Sequence, residues 1–206
     1  MTEERKSHWE GVYRDKHSTE VSWFQEVPDK SLALVVGTGT SQKDAILDVG
    51  GGASTLVDHL LDAGYVDITV LDLASKAFDQ SRQRLGERAS APSWVVSDIT
   101  RFEPQRKYRL WHDRAVLHFL TDPEDRRRYM SVLKQALDPG GHVVIAAFGP
   151  EGPPKCSGLE IRRYTIEMLA ELLGPEFELQ SHELENHQTP MGATQQFLYS
   201  RWTRRG

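Results

Sequence analysis

Apolar residues in this chain arrive in short blocks of strand length, separated by turn-prone or helix-periodic stretches. Blocks at 45–49 (AILDV), 67–72 (DITVLD), 93–96 (SWVV), 108–112 (YRLWH) and 142–148 (HVVIAAF) read as strands. Helical spacing fills 54–63, 75–85 and 122–136, and Pro139, Gly140 and Gly141 form the turn before the fifth strand. After the Gly/Pro-rich loop FGPEGPPKCSG, a helix is expected over 165–173. Two strands close the chain at 176–185 and 194–202, the last alternating as QFLYSRW. Strands that alternate with helices imply an α/β protein: a doubly wound, mostly parallel sheet with helices on both faces. Upstream, Trp9, Val12 and Tyr13 stand at i, i+3 and i+4 of a helix over 3–16. Pro28 stops the aromatic segment VSWFQEVP, and a short helix follows at 31–36. The organisation is one domain over 1–206, with 1–36 as a helical cap and 45–206 as the core.

Composition narrows the class. The 206 residues are 38% apolar and 27% charged, an ordinary balance for a globular chain. A net charge of −5 argues against a general nucleic-acid binder, which carries a basic face. No apolar run approaches the roughly 20 residues that span a bilayer, and the charged N-terminus has no secretory core. Cys156 is the single cysteine, so no intramolecular disulfide or multi-thiolate metal site forms. The eight histidines show no H-x-x-x-H pair, and no metal is expected. The simplest compartment is the cytoplasm.

The chemistry centres on AILDVGGGASTLVDHLL, residues 45–61. A strand, a glycine turn (Gly50, Gly51, Gly52) and a helix opening near Ala53 and Ser54 form a device for holding a nucleotide-like ligand. Glycines permit a sharp turn and close approach, and a helix N-terminus offers free N–H groups. Asp48 sits at the first strand end. Asp72, twenty residues after Gly52, lies at the end of the second strand, where an acid reaches ribose hydroxyls.

DVGGGAS, then VLDLA, VVSDIT and LDPGGHVVIAAF, resembles the motif series of class I S-adenosylmethionine-dependent methyltransferases over about half the chain. The resemblance implies a seven-stranded Rossmann-like methyltransferase fold with a C-terminal antiparallel hairpin, and S-adenosylmethionine as cofactor with S-adenosylhomocysteine as product. It places Gly50 and Gly52 beside the methionine and ribose parts, Asp48 on the amino group or on the turn itself, and Asp72 on the ribose diol. Leu73 flanks the adenine, Asp98 accepts from its amino group, and Ile99 offers backbone; alone, Asp98 reads as a turn cap. HWEGVYRDKHSTEVSWFQ is similar to the N-terminal cap of several methyltransferase families. Trp9, Tyr13, Trp23 and Phe24 therefore either cover a core edge or close a lid, with Tyr13 and Trp23 as the cofactor-facing pair.

After the fourth strand, LWHDRAVLHFLTD lies where the resemblance puts the transferred methyl. His112, Asp113 and Arg114 are the catalytic candidates, the first two to steer the acceptor or take its proton, Arg114 to fix an acidic acceptor. Alternatively, Asp113 and Arg114 form a structural ion pair beside buried Trp111 and His118. Arg162 and Arg163 either recognise an anionic acceptor or form a solvated charge pair before a helix. His187, Thr189 and Gln195 are second-tier residues of the acceptor pocket, Cys156 is a bland small residue, and Arg126, Arg127 and Arg128 sit on a solvated face. The expected activity is methyl transfer to a small-molecule thiol, amine, oxyanion or hydroxyl, by a monomer or homodimer without nucleic-acid or membrane partners. A protein lysine acceptor is the alternative within the fold. A nicotinamide-dependent oxidoreductase is disfavoured by G-G-G-A-S in place of G-x-G-x-x-G, and a non-catalytic cofactor-binding protein is the remaining reading.

Overall fold

A computed structural model describes residues 2–206. The chain enters through α1 (Thr2–Asp15), a 3-10 turn (Ser18–Glu20) and α2 (Asp29–Gly37). The core then runs β1 (Ile46–Val49), α3 (Leu56–Asp62), β2 (Ile68–Asp72), α4 (Ser75–Leu85), β3 (Ser93–Val96), β4 (Tyr108–Arg114), α5 (Pro123–Ala136) and β5 (Leu137–Phe148). A two-residue hairpin, β6 (Lys155–Cys156) and β7 (Leu159–Glu160), precedes α6 (Ile166–Leu173), β8 (Phe177–Gln188) and β9 (Thr194–Arg204).

Seven strands form one sheet in the order β3-β2-β1-β4-β5-β9-β8. The first five are parallel, and β9 pairs antiparallel with both β5 and β8. This is the Rossmann-like methyltransferase fold, with its doubly wound sheet and closing hairpin. Every residue of β1 and β2 is buried, as parallel strands covered on both faces must be. On one face Ile46, Val70 and Leu110 pack against Val35 of α2, Leu56 and Leu60 of α3 and Phe78 of α4. On the other, Leu47, Trp111, Val143 and Trp202 meet Tyr129 and Leu133 of α5 and Leu169 and Leu173 of α6.

Two boundaries differ from the sequence reading in ways that matter. β4 continues to Arg114, so His112, Asp113 and Arg114 lie in the strand and alternate between its faces, rather than sharing a loop. β5 begins at Leu137 directly after α5, so Pro139–Gly141 is carried within the strand, with Gly140 at φ +73° and a register shift opposite Tyr108–Leu110.

The N-terminal segment is tied down at several points. α4 has no side-chain cap of its own. Glu10 of α1 supplies one, accepting from Ser75 N (2.7 Å), Ser75 Oγ (3.0 Å) and Lys76 N (3.3 Å). Gln80 of α4 donates to the Tyr13 and Lys16 carbonyls and accepts from Ser18 N. Arg5 pairs with Asp125 at 2.5 Å. Thr55 donates to the Gln25 carbonyl, and His187 bonds that of Ser22.

Candidate active site

The carboxyl ends of the parallel strands open onto a cleft of about 1230 Å³, counting its mouth. α1 and residues 18–28 roof it. Trp9 makes edge contacts with Trp23 and Phe119 at ring-centre distances of 5.7 and 5.1 Å, and Tyr13 lies 6.2 Å from Trp9. The segment is thus a lid over the cleft, and its rings also pack on Ala53, Ala74 and Ala77 at the core edge.

Each of the first three strands has a buried acid at or near its carboxyl end, facing this cleft. Asp48 of β1 accepts from His112 Nδ1 at 2.7 Å through Oδ1, while its Oδ2 is buried without a partner. Asp72 of β2 accepts from Gly52 N (3.1 Å) and Ala74 N (2.9 Å), and burial pushes its carboxyl up to about 6. Asp98, beyond β3, caps its own turn through Oδ1, which accepts from Thr100 N and Oγ1. Its Oδ2 is left buried and open, so the cap and an unsatisfied acceptor coexist in one side chain. Leu73 and Ile99 line the cleft between these acids.

The glycine turn is dictated by that packing. Gly50 sits at φ +71°, and a Cβ on it would lie 2.1 Å from Val116. On Gly51 a Cβ would meet Asp48 Oδ2 at 2.1 Å, and on Gly52 it would meet Ala77 at 2.4 Å and Asp72 at 2.5 Å. Gly50 and Gly51 line the cleft, whereas Gly52 stands behind them with its N–H held by Asp72. α3 opens at Leu56, later than the sequence suggested, and the glycine turn lines the ligand space together with Ala53, Ser54, Thr55 and Leu56.

Alternation along β4 separates the three catalytic candidates. His112 faces the cleft, but both ring nitrogens are held, Nδ1 by Asp48 and Nε2 by Ser31 Oγ at 2.9 Å. With the carboxylate taking the Nδ1 proton, Nε2 accepts from Ser31. Asp113 points to the opposite face, fully buried. It accepts from Val116 N, Leu117 N and Tyr129 Oη (2.7 Å), which in turn accepts from Trp111 Nε1. It neither lines the cleft nor pairs with Arg114. Burial raises its carboxyl to about 6. Arg114 does reach the cleft, donating from Nε to Tyr199 Oη (2.9 Å) and from Nη1 to the Trp23 carbonyl (2.8 Å).

Of the second-tier residues, Gln195 leaves its Oε1 buried without a partner, and the others have structural work. Arg163 donates to the Pro150 and Gly152 carbonyls, and Thr189 accepts from Ala193 N. Arg162 lies over the Tyr164 ring. Burial raises the Cys156 thiol to about 11, which removes it as a nucleophile. His118 is buried against Phe148 and driven down to about 3, so it stays neutral. Arg126 departs from its expected solvated setting and donates to the Leu120 and Thr121 carbonyls, whereas Arg127 and Arg128 pair with Glu124 on the surface. The sequence reading missed Ser31, Phe119 and Val116, and the platform of Phe197 and Tyr199. For that pair the period-two alternation of QFLYSRW was a usable signal.

Residues 47–143 match the family model described as a methyltransferase domain. Nodulation protein S of Rhizobium tropici is 35% identical over 102 residues, which span 49% of this chain and 42% of that protein. The eEF1A lysine and N-terminal methyltransferase of Mus musculus is 28% identical over 120 residues, 57% of this chain and 17% of that protein. The chain thus spans less than half the length of these curated relatives. Among solved structures, the N-methyltransferase NodS of Bradyrhizobium japonicum in complex with S-adenosylhomocysteine superposes with a TM-score of 0.71 at 19% identity. The match covers 94% of this chain and 97% of that one, and it is a likeness of fold.

Proposed function

We propose, for a chain that belongs to the class I S-adenosylmethionine-dependent methyltransferases, that the cleft binds S-adenosylmethionine and passes its methyl group to a small-molecule acceptor. The observation that carries this is the row of three buried acids at adjacent strand ends, two with an oxygen that has no partner. A buried polar atom without a partner costs about 1–3 kcal/mol, and a ligand bearing an ammonium, a diol and an exocyclic amine meets all three acids. In this assignment Asp48 Oδ2 accepts from the methionyl ammonium, and Asp72 accepts from the ribose hydroxyls. Asp98 Oδ2 accepts from the adenine amino group, between Leu73 and Ile99. Gly50 and Gly51 leave room for the ligand to approach backbone, and Tyr13 and Trp23 close over it.

When bound, the cofactor would supply an electrophilic methyl on sulfur for in-line transfer to the acceptor's lone pair, with the thioether as leaving group. The chain's task is then to hold, orient and exclude water. His112 acts by positioning: clamped between Asp48 and Ser31, it sets the carboxylate and has no free nitrogen for a proton. Asp113, enclosed on the far face, takes no part. The acceptor therefore arrives already deprotonated or loses its proton to solvent. A compact acceptor suits a space roofed by α1.

Calorimetry with S-adenosylhomocysteine tests the cofactor site, and absence of binding would sink it. Methyl-labelled S-adenosylmethionine incubated with protein and cell lysate tests the acceptor class. Label in small or volatile products is the expected outcome. Label confined to protein would replace the small acceptor with a lysine-type one.

A further inference from the structure

Arg114 is a cation without a counter-ion. Its Nε and Nη1 donate to two neutral oxygens, its guanidinium lies 4.7 Å above the Phe197 ring, and Nη2 is buried without a partner. It makes no ion pair with an acid of the described residues. Of the titratable groups facing it, Glu185 is an acid, with its Oε2 buried and unpartnered and no direct ion pair to Arg114. Cys156 is held as a thiol by burial, and His118 and His187 are both pushed down. Tyr199 is raised above its usual value, and Glu185 reaches the Tyr199 hydroxyl. Leaving a half-buried charge with one nitrogen unpartnered is unfavourable, and an anion delivered by a ligand relieves it.

Position says which ligand. The order β3-β2-β1-β4 sets Asp98, Asp72, Asp48 and Arg114 side by side along the sheet edge. Arg114 therefore stands one strand spacing, about 4.8 Å, beyond the methionyl end of the proposed cofactor site. Trp9, Trp23 and Phe119 stand as an apolar aromatic wall at the cleft. On the reading of this cleft as a methyltransferase site, we infer that the methyl acceptor is a flat, carboxylate-bearing molecule whose carboxylate docks on Arg114 while its apolar body lies against these rings.

The test uses protein loaded with S-adenosylhomocysteine, titrated with 4-hydroxybenzoate and with the neutral isostere 4-hydroxybenzamide. Benzoate binding at least tenfold tighter than the amide is expected. Arg114→Gln should erase that preference while S-adenosylhomocysteine affinity stays within twofold, and Arg114→Lys should retain part of it. Equal binding of acid and amide, or binding of neither to loaded protein, overturns the inference while leaving the cofactor site standing. The wild-type comparison does so without relying on any variant to fold. The carboxylate could instead be the cofactor's own. If Arg114→Gln weakens S-adenosylhomocysteine but spares 5′-methylthioadenosine, Arg114 serves the methionyl group and the inference falls. Failure of the wild-type protein to bind S-adenosylhomocysteine at all takes down both this and the assignment beneath it.

Discussion

The two ends of the cleft are built from the same material, the carboxyl tips of parallel strands, and reach opposite electrostatics. At β1, β2 and β3 the tips carry Asp48, Asp72 and Asp98, with glycines trimmed so that backbone packs against two of them. At β4 the tip carries Arg114, and the surroundings turn aromatic: Trp23, Phe119 and Phe197. One end is specified by polar groups awaiting partners, the other by shape and a single cation. Such a division suits an enzyme with an invariant cofactor and a selective second substrate. A third kind of polar group lies directly beneath. Asp113 is as buried as Asp48 and adjacent to Arg114, yet its oxygens are fully engaged by Val116, Leu117 and Tyr129. Asp72 aside, whose two oxygens each already hold a backbone N–H, open acceptors mark the ligand space, and the completed network of Asp113 marks scaffold.

The sharpest way to break that distinction is Asp113→Ala. It would leave two backbone N–H groups and the Tyr129 hydroxyl buried without their acceptor, at a cost of about 3–5 kcal/mol in unfolding free energy. Urea denaturation measures it. A loss under 1 kcal/mol, or a selective loss of ligand affinity in a protein of normal stability, would move Asp113 into the site. Asp113→Asn, which keeps an oxygen for the N–H groups, should cost less.

Asp72→Ala probes the acid end. Removing an acceptor of two charge-assisted hydrogen bonds should weaken S-adenosylhomocysteine binding by about 3 kcal/mol, on the order of a hundredfold. Unchanged affinity by calorimetry would detach Asp72 from the ribose.

The pH dependence of binding gives a smaller effect with a definite sign. Burial raises the Asp72 carboxyl to about 6. Above that pH the ionised group can accept two hydroxyl protons; below it, one oxygen carries a proton of its own. Affinity should be level above pH 6 and fall by up to about tenfold per unit beneath it. Asp113 also titrates near 6, so Asp72→Asn is the control. If its profile still falls below pH 6, the proton belongs to another group.

Much of this arrangement was legible in the sequence, for a physical reason. Buried parallel strands must be continuously apolar, so AILDV and ITVLD announce themselves, and an acid inside such a run is conspicuous. Asp48 and Asp72 stand out that way, whereas Asp98 alone reads as a turn cap and gains its ligand role from the resemblance of VVSDIT. Facing was harder to read. The strand runs through Asp113 and Arg114, beyond the expected end at His112, and these two residues of extra extension decide that Asp113 is scaffold and Arg114 faces the cleft. Ser31 gave no signal, because its role is to hold a histidine 81 positions away. The resemblance places Gly52 beside the ligand, whereas in the structure its missing side chain makes room for Asp72 and Ala77.

The smallest effect concerns the lid that covers both ends. Glu10 substitutes for the cap that α4 lacks, so the same carboxylate stabilises a core helix and docks α1. Losing a cap costs about 1 kcal/mol. Because Gln80 still holds the Tyr13, Lys16 and Ser18 backbone, Glu10→Ala should loosen α1 without releasing it. Hydrogen exchange along α1 should quicken severalfold, while amides of β1 and β4 keep their protection. Ligands then separate the ends of the cleft. Acceptor-side probes, which depend on Trp9, should bind more weakly, whereas S-adenosylhomocysteine, held mainly by the strand-tip acids, should change by less than threefold. An equal loss for both would mean that the lid, rather than the strand tips, organises the cofactor end.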